Sequence, residues 1–331
     1  MIIDTDMILS DLRKMGAKKI MLMVPDGLKP SVFSLFQALS KEFAIIISSD
    51  PFFGACDVGE MALYNDVDVI VQLGHSEIPN IKYPKPVLFI EYREERDQDL
   101  SKVQFTEILE KGYSRIGLLF SIQYMKAAAQ IRKMLEERGF QVIVGQNDGR
   151  LKYPGQVLGC NYSTGHSVSE YVDCFLLVST GIFHALGAQL SLEKEVFLLD
   201  LNDLTMRSLK AETDRAIRIR YAAIARAMDA KKVCVVLDTK IGQRRRSLAD
   251  TILRQADSAG LETVMIHSNN CSPTEFENMR CDLVVFTGCP RVPIDDQDKY
   301  PMPILTPQEF QIAFKFKKTN RYIMDEIVSV D

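Results

Sequence analysis

The 331-residue sequence contains no apolar run that approaches the roughly 18 residues needed to cross a bilayer. Its opening segment, MIIDTDMILSDLRKM, carries acids where a signal peptide needs basic residues. No excess of basic residues is present either: 40 Lys and Arg stand against 44 Asp and Glu, for a formal net charge of -4. This balance argues against a protein that coats nucleic acid or an anionic membrane. We therefore expect a cytosolic, cytoplasmic protein without membrane or direct nucleic-acid contacts.

The seven cysteines lack any CxxC spacing, which argues against a zinc finger. An odd number of cysteines scattered along a long chain is also a poor disulfide framework. It indicates free thiols, metal ligands or a redox site in a reducing compartment. Apolar residues at 47% and charged residues at 25% are otherwise ordinary for a folded soluble protein.

One unit of strand and helix occurs three times along the chain, at a spacing of about 100 residues. Each unit opens on a short apolar, β-branched run, continues into a helical stretch and then returns in further apolar runs. Such runs are typical of parallel strands buried on both faces. The three opening runs are KKIMLMVPDGL from Lys18, SRIGLLFSIQY from Ser114 and KKVCVVLDTKIG from Lys231.

The predicted fold is α/β: three similar small domains, each a parallel β-sheet flanked by helices, in a pseudo-threefold arrangement around a shared centre. The predicted domains are residues 1–110, 111–215 and 216–331. Two of the crossover helices end at Gly139 and Gly260, where a C-cap glycine is expected. No Gly/Ser linker separates the domains, so we expect them to pack together.

Three cysteines follow predicted strands, one in each unit: Cys56, Cys160 and Cys289. Each has a glycine one or two residues before it, which allows close approach of the backbone to a bulky ligand. Open parallel sheets place ligands at the carboxyl ends of their strands. Three thiolates that meet at a common centre would hold zinc or an iron–sulfur cluster, and the residues alone leave both open. We expect the other four cysteines to be packing residues: Cys174, Cys234, Cys271 and Cys281.

Seven motifs now point to a known family. GACD at Cys56, GQVLGC at Cys160 and CPRVPIDD at Cys289 occur in family order with VPDGL, QLGHS, GIFHALG and KIGQRRR. From about Lys18 to Asp296, the chain resembles the archaeal diphthamide biosynthesis enzymes, which are 3-amino-3-carboxypropyl transferases acting on elongation factor 2. The resemblance implies a three-domain homodimer with a 4Fe-4S cluster bound by these three cysteines, and S-adenosylmethionine as substrate.

The resemblance also implies the reaction. An electron from the reduced cluster, supplied by an electron donor, breaks the Cγ–S bond of S-adenosylmethionine. The 3-amino-3-carboxypropyl radical then adds to an imidazole carbon of a histidine on elongation factor 2 and leaves methylthioadenosine, which is the first step of diphthamide biosynthesis. Ordinary radical enzymes of this cofactor carry a CxxxCxxC loop, which this sequence lacks.

Residues beside the predicted strand ends are the candidates for binding S-adenosylmethionine. An arginine near the open iron would pair with the substrate carboxylate in a bidentate fork. For His75 and His184, packing is the alternative to ligand binding. We expect the run Arg244–Arg246 to begin an exposed helix. We also expect KFKKTNR to form a solvated basic helix. The candidates are Pro25, Asp26, Gly27, Gly74, His75, Gly181, His184, Gly242, Gln243 and Arg291.

Two other functions remain alternatives. A quinolinate synthase also has three pseudo-equivalent domains and three cysteines on a cluster with an open iron, but it performs Lewis-acid condensation and dehydration. The motifs GQVLGC and CPR point away from that enzyme. A non-catalytic small-molecule binder or an electron-supplying subunit on the same scaffold is a further alternative, and retention of all three thiols argues against it.

Overall fold

A computed structural model describes residues 4–59, 61–94 and 99–330 of the chain. The first three residues of the acidic opening segment therefore lie outside the described residues. The described chain forms three separate sheets, each built from a continuous stretch of sequence. The predicted three-unit α/β fold is confirmed.

The first sheet has four parallel strands in the order β2-β1-β3-β4. The central strands β1 and β3 are almost wholly buried, as the continuous apolar runs predict, whereas β2 lies at an edge and is largely exposed. The strands are β1 (Lys19–Met23), β2 (Ala44–Ser48), β3 (Val69–Leu73) and β4 (Val87–Ile90).

The second sheet has five strands in the order β6-β5-β7-β8-β9. Its last strand pairs antiparallel with β8 and was not predicted, because the short sequence TMRS has no apolar run. The strands are β5 (Arg115–Phe120), β6 (Gln141–Ile143), β7 (Cys174–Ser179), β8 (Val196–Asp200) and β9 (Thr205–Ser208).

The third sheet repeats the first, with four parallel strands in the order β11-β10-β12-β13. The edge strand is again the second in sequence, and the topology is that of a strand–helix–strand unit extended on one side. The strands are β10 (Lys232–Asp238), β11 (Glu262–Ser268), β12 (Leu283–Phe286) and β13 (Ile304–Leu305).

Helices connect the strands and cover both faces of the sheets. Gly139 (φ 88°) follows α4 and Gly260 (φ 75°) follows α8 in left-handed conformations, so the predicted C-cap glycines are confirmed. None of the helices in the described ranges is both long and apolar enough to cross a membrane. The helices are α1 (Thr5–Lys14), α2 (Val32–Leu39), α3 (Thr106–Glu110), α4 (Met125–Glu137), α5 (Ser163–His166), α6 (Phe183–Ser191), α7 (Lys210–Ala227), α8 (Arg246–Ser258), α9 (Pro273–Asn278), α10 (Arg291–Asp295) and α11 (Pro307–Ala313).

The cores lie between each sheet and its helices. Along β5, Leu118 packs into the core on one face of the second sheet and Leu119 into the core on the other. Two segments pack away from their neighbours in sequence. Residues 100–108 contribute to a core of the second sheet, and so do Tyr322 and Met324 near the C-terminus. The domain boundaries remain a prediction.

The structure departs from the cysteine prediction at one pair. Cys234, within β10, and Cys281, just before the adjacent strand β12, form a disulfide with their Cα atoms 5.9 Å apart. Both are buried, as expected of packing residues, but they are not free thiols. Cys174 and Cys271 are buried and free, as expected. The pairing is invisible in the sequence because the two cysteines are distant along the chain and meet only across the sheet.

The predicted basic helix KFKKTNR is not formed. The last helix ends at Ala313, and Lys315 then takes a left-handed backbone conformation with φ of 63°. The following residues form turns without regular hydrogen bonding up to Arg321. Thr306, the N-cap of α11, forms a capping box with Glu309, which fixes the start of this helix. The left-handed backbone of Lys315 prevents the helix from continuing into KFKKTNR.

Candidate functional site

The loops that follow strands of all three sheets line one cavity of about 200 Å³. Cys56 lies in the loop after β2, Cys160 in the loop between β6 and α5, and Cys289 directly after β12. All three line this cavity, together with the predicted residues His75, His184, Gln243 and Arg291. The carboxyl ends of the strands therefore meet here, which is where parallel sheets bind ligands.

The thiols of Cys56 and Cys289 lie close enough to Cys160 for its charge to affect their pKa values. Burial raises the pKa of Cys56 to about 12, with a further increase from the neighbouring charge of Cys160. Burial also raises the pKa of Cys289, followed by the effects of Cys160 and Cys56. The side-chain amide of Gln243 opposes the shift at Cys56 by donating to its sulfur at 3.2 Å. Metal binding must therefore displace protons from Cys56 and Cys289.

The geometry favours an iron–sulfur cluster over zinc. Within residues 4–59, 61–94 and 99–330, no three His, Cys, Asp or Glu side chains form a group that could hold one metal ion. A zinc ion needs all its ligand atoms about 2.0 to 2.3 Å from one point. Thiolates on a 4Fe-4S cluster bind different irons, so they stand farther apart. Three cysteines at one cavity fit the cluster.

Gly242 allows two loops from different sheets to touch. Its N–H donates to the carbonyl of Cys56 at 2.8 Å. A Cβ atom at this position would lie 2.4 Å from the Cα atom of Cys56, closer than two such atoms can approach. Gly242 was predicted to bind the cofactor, which stays a prediction; the structure shows this backbone contact with Cys56, a predicted cluster ligand.

His75 and His184 lie within the cavity, and both are uncharged at neutral pH. Burial lowers the pKa of each to about 4, and at His184 the nearby charges of Arg291 and His75 lower it further. Each ring packs edge-on against a phenylalanine, Phe52 for His75 and Phe183 for His184. The Nδ1 atom of His75 is buried and has no hydrogen-bond partner among the described residues. This atom is available to a bound polar group.

Arg291 also retains an unused donor. Its Nε and Nη2 atoms bind Asp295 one helical turn later, at 2.8 and 2.9 Å. The guanidinium stacks over the Phe183 ring, 4.2 Å from the ring centroid. Its Nη1 atom is buried and makes no hydrogen bond within the described part of the chain. A ligand carboxylate would satisfy this atom.

Six predicted residues do not line the cavity, Gly242 among them. Pro25 packs against Gly74, where a Cβ would lie 3.0 Å from the proline ring. Asp26 and Gly27 are exposed, and Asp26 pairs with Lys29 instead of a ligand. Gly181 donates its N–H to the carboxylate of Asp200 at 3.1 Å, which fixes the turn before α6. The predicted residues outside the cavity lining are therefore Pro25, Asp26, Gly27, Gly74, Gly181 and Gly242.

Arg245 corrects the expectation for the Arg244–Arg246 run. Its neighbours on both sides are exposed, but Arg245 is buried and forms an ion pair of 2.5 Å with Asp325. It also donates to the carbonyls of Thr287 and Gly288, at 2.7 and 3.1 Å, directly before Cys289. Three consecutive arginines gave no indication of which one would turn inward.

A second feature that the sequence did not reveal is the C-terminal strap, defined here as residues 322–330. The N–H of Ile327 donates to the carbonyl of Cys160 at 2.9 Å, and Glu326 accepts from the N–H of Tyr162 at 2.7 Å. Asn80 in the first unit donates to the carbonyl of Val328 at 3.0 Å. Together with the pair between Asp325 and Arg245, these bonds connect the strap to loops of all three units.

The comparisons with known proteins agree with this site. Residues 24–323 match the model of the diphthamide synthesis protein family. This chain belongs to the diphthamide synthesis protein family. It is 32% identical to the 2-(3-amino-3-carboxypropyl)histidine synthase of Pyrococcus horikoshii, over 97% of this chain and 92% of that one. The synthase of Methanocaldococcus jannaschii is 27% identical, over 99% and 94% of the two chains.

A solved structure is similar over the whole chain. The crystal structure of Dph2 from Pyrococcus horikoshii with a 4Fe-4S cluster superposes with a TM-score of 0.89 and 29% identity. The match covers 100% of this chain and 95% of that one. The predicted family resemblance is thus confirmed. In this chain, Cys56, Cys160 and Cys289 are the predicted ligands because all three line the cavity described above.

Proposed function

We propose that this chain performs the first step of diphthamide synthesis, the transfer of the 3-amino-3-carboxypropyl group of S-adenosylmethionine to a histidine of translation elongation factor 2. One observation carries the proposal: a family member brings one cysteine from each of three sheets, Cys56, Cys160 and Cys289, to a single cavity. Three thiols are one fewer than a 4Fe-4S cluster needs for full ligation, so one iron is left open to substrate.

The cysteines are the proposed ligands of the cluster. When bound, the cluster supplies the electron that cleaves the Cγ–S bond of S-adenosylmethionine, while the protein orients the substrate and excludes water. Gln243 donates to the sulfur of Cys56 and would withdraw electron density from that ligand atom. A separate electron donor has to reduce the cluster.

The cavity suits a sulfonium substrate with an amino-acid end. His75 and His184 are neutral at physiological pH because burial lowers the pKa of each to about 4. They therefore offer hydrogen bonds to the substrate without repelling its sulfonium charge. The free Nη1 atom of Arg291 is the proposed partner of the substrate carboxylate. This assignment places the aminocarboxypropyl group near Cys289, two residues away in sequence.

The protein substrate has to enter from the open side of the cavity. Phe53 and Phe183 line the cavity and remain 80% and 44% exposed, so their rings stand at its mouth. Exposed aromatic side chains of this kind are common at protein interfaces. We assign this rim to the histidine-bearing surface of elongation factor 2.

The proposal includes a homodimer. The edge strands β2 and β11 expose apolar side chains, among them Ile46 at 38% and Val264 at 46%, and Phe33 on α2 is 75% exposed. Apolar surface at open sheet edges is commonly covered by another chain. Light scattering at micromolar concentration should give twice the chain mass, and F33D should lower it. A monomer with full activity would contradict the dimer.

The decisive experiment for the activity is anaerobic reconstitution with iron and sulfide, followed by product analysis. With dithionite, S-adenosylmethionine and elongation factor 2, we expect methylthioadenosine and a modified histidine. C289A protein, and a factor with the target histidine replaced, serve as controls without a modified product. A main product of 5'-deoxyadenosine would overturn the proposed bond cleavage. Intact S-adenosylmethionine here, together with quinolinate formation in a parallel assay that supplies the substrates of quinolinate synthase, would support the rival enzyme. An absence of turnover in both assays would support the non-catalytic alternative.

A further inference from the structure

Arg150 is a fully buried arginine without a counter-ion among the described residues. It lies in the loop between β6 and α5 that also carries Cys160 and is 0% exposed. Its Nη2 atom donates to the carbonyl of Gly242 at 2.6 Å. Its Nε and Nη1 atoms are buried with no hydrogen-bond partner, and no ion pair forms with a described carboxylate.

The contrast with Arg220 shows how unusual this arrangement is. Arg220 is equally buried, but Glu309 binds it through both carboxylate oxygens at 2.7 Å. The carbonyls of Pro293 and Ile304 occupy further donors of Arg220. A buried guanidinium normally has such partners because desolvation of an unpaired charge is strongly unfavourable. Arg150 therefore requires an anionic group that the described part of the polypeptide does not provide.

The position of Arg150 identifies where that group would lie. Gly242, which accepts the Arg150 hydrogen bond, donates its own N–H to the carbonyl of Cys56. The charge of Arg150 acts on the Cys56 sulfur and on the Tyr83 hydroxyl, which donates to the carbonyl of Ala55. A single residue, Gly242, therefore links the guanidinium to the Cys56 loop. Arg150 does not line the cavity, so it acts on its contents through its field and not by touching the substrate.

We propose that Arg150 is the buried counter-charge of the iron–sulfur centre bound by Cys56, Cys160 and Cys289, a positioning residue that raises the reduction potential of this centre. The inference rests on the proposed function. Three thiolates give such a centre a net negative charge, which increases by one unit when it accepts an electron. A fixed positive charge in a desolvated setting favours the more negative, reduced form.

Three variants test the proposal in the reconstituted protein. R150M removes the charge and keeps an elongated side chain, whereas R150K keeps the charge. K152M is the matched control, because Lys152 lies in the same loop but is exposed and paired with Glu91. Iron content is measured first, and the centre is then titrated with dithionite and followed by electron paramagnetic resonance.

At a fixed solution potential, R150M should lower the ratio of reduced to oxidised centre about tenfold, equivalent to about 59 mV for one electron. R150K should keep most of the wild-type potential, and K152M should change the ratio less than twofold because its site is solvated. A wild-type potential in iron-replete R150M would overturn the inference and leave the proposed function intact. Failure of the wild-type chain to bind iron would instead overturn both.

Thermal unfolding with and without the cluster separates the electrostatic role from a structural one. Without iron, R150M should be at least as stable as wild type because an unpaired buried charge has been removed. With iron, it should gain less stability from the cluster than wild type does. Equal destabilisation of both forms would mean that Arg150 only pins Gly242, and the inference would fail. If R150M takes up no iron, only the iron-free proteins are compared. R150M that is at least as stable as wild type then supports the inference, and R150M that is less stable overturns it.

Discussion

The guanidinium of Arg245 and the carboxylate of Asp325 form a buried ion pair 2.5 Å apart, between the start of α8 and the C-terminal strap. Arg245 uses its remaining donors on the carbonyls of Thr287 and Gly288. The pair therefore connects the strap to the backbone that presents Cys289. The ion pair thereby holds the backbone directly before Cys289, a proposed cluster ligand.

Replacement of either Arg245 or Asp325 should strongly destabilise the protein. R245M leaves the Asp325 carboxylate buried and unpaired, which should lower the free energy of unfolding by about 3–5 kcal/mol. Denaturant unfolding measures this change, and iron content after reconstitution should fall with it. R246A is the control, because Arg246 is exposed and its pair with Asp250 contributes only about 0.3–0.5 kcal/mol. An R245M protein with wild-type stability would contradict the described role of the pair.

Loss of a ligand cysteine should abolish the brown colour of the anaerobically reconstituted protein. C56A, C160A and C289A each leave two thiols, which cannot retain a cubane cluster stably. C174A removes a buried cysteine of β7 that lies outside the cavity and should keep full iron content. Iron and sulfide analysis with the visible absorption spectrum distinguishes these results. Full cluster content in any of the three variants would refute that ligand assignment.

Two glycine substitutions should have opposite outcomes although both residues were predicted to bind substrate. G242A places a methyl group 2.4 Å from the Cα atom of Cys56, so the two loops must separate and cluster binding should be lost. G27A meets no atom within 4 Å and should change stability by less than about 0.5 kcal/mol. Iron content and thermal unfolding of the two proteins provide the comparison. Similar behaviour of both would contradict the described loop contact.

His166 should make stability depend on pH. Its pKa is raised mainly by a hydrogen bond to Glu326 at 2.6 Å, against the opposing effect of burial. A raised folded-state pKa means that the stabilisation is fully present below about pH 6.5 and is lost as pH rises through the folded value. His166 is half-exposed, so the effect should stay below about 1 kcal/mol.

The measurement compares the melting temperatures of wild type and H166Q at pH 5.5 and 8.5. Wild type should exceed H166Q by more at pH 5.5 than at pH 8.5. An equal difference at both pH values would show that the pair with Glu326 carries no protonation-dependent stability.

Continuous apolar runs were sufficient to predict the parallel strands. KVCVVL, for example, forms β10 and is buried on both faces because helices cover both sides of its sheet. The three cysteines at the cavity could also be predicted, because the carboxyl end of a strand can be located once the strand is known. Strand β9 could not, since its polar sequence becomes a strand only by pairing with β8.

The polar groups behind the site were beyond prediction for a different reason. Whether an arginine is buried depends on what the rest of the chain places around it, so Arg150 in QNDGR looks like any solvated loop residue. The turn VPDGL shows the same limit at a residue that the structure leaves exposed, and its binding role stays a prediction. It follows a strand at the proper end of the sheet, but packing of Pro25 against Gly74 leaves Gly27 facing solvent.

The C-terminal strap also determines when the site can be completed during synthesis. The ribosome releases the Cys56 and Cys160 loops well before residues 322–330. Until Ile327 has emerged, the carbonyl of Cys160 lacks its partner, and Arg245 lacks the carboxylate of Asp325. A nascent chain that already displays all three cysteines therefore still lacks the contacts that hold the Cys160 loop and the backbone before Cys289.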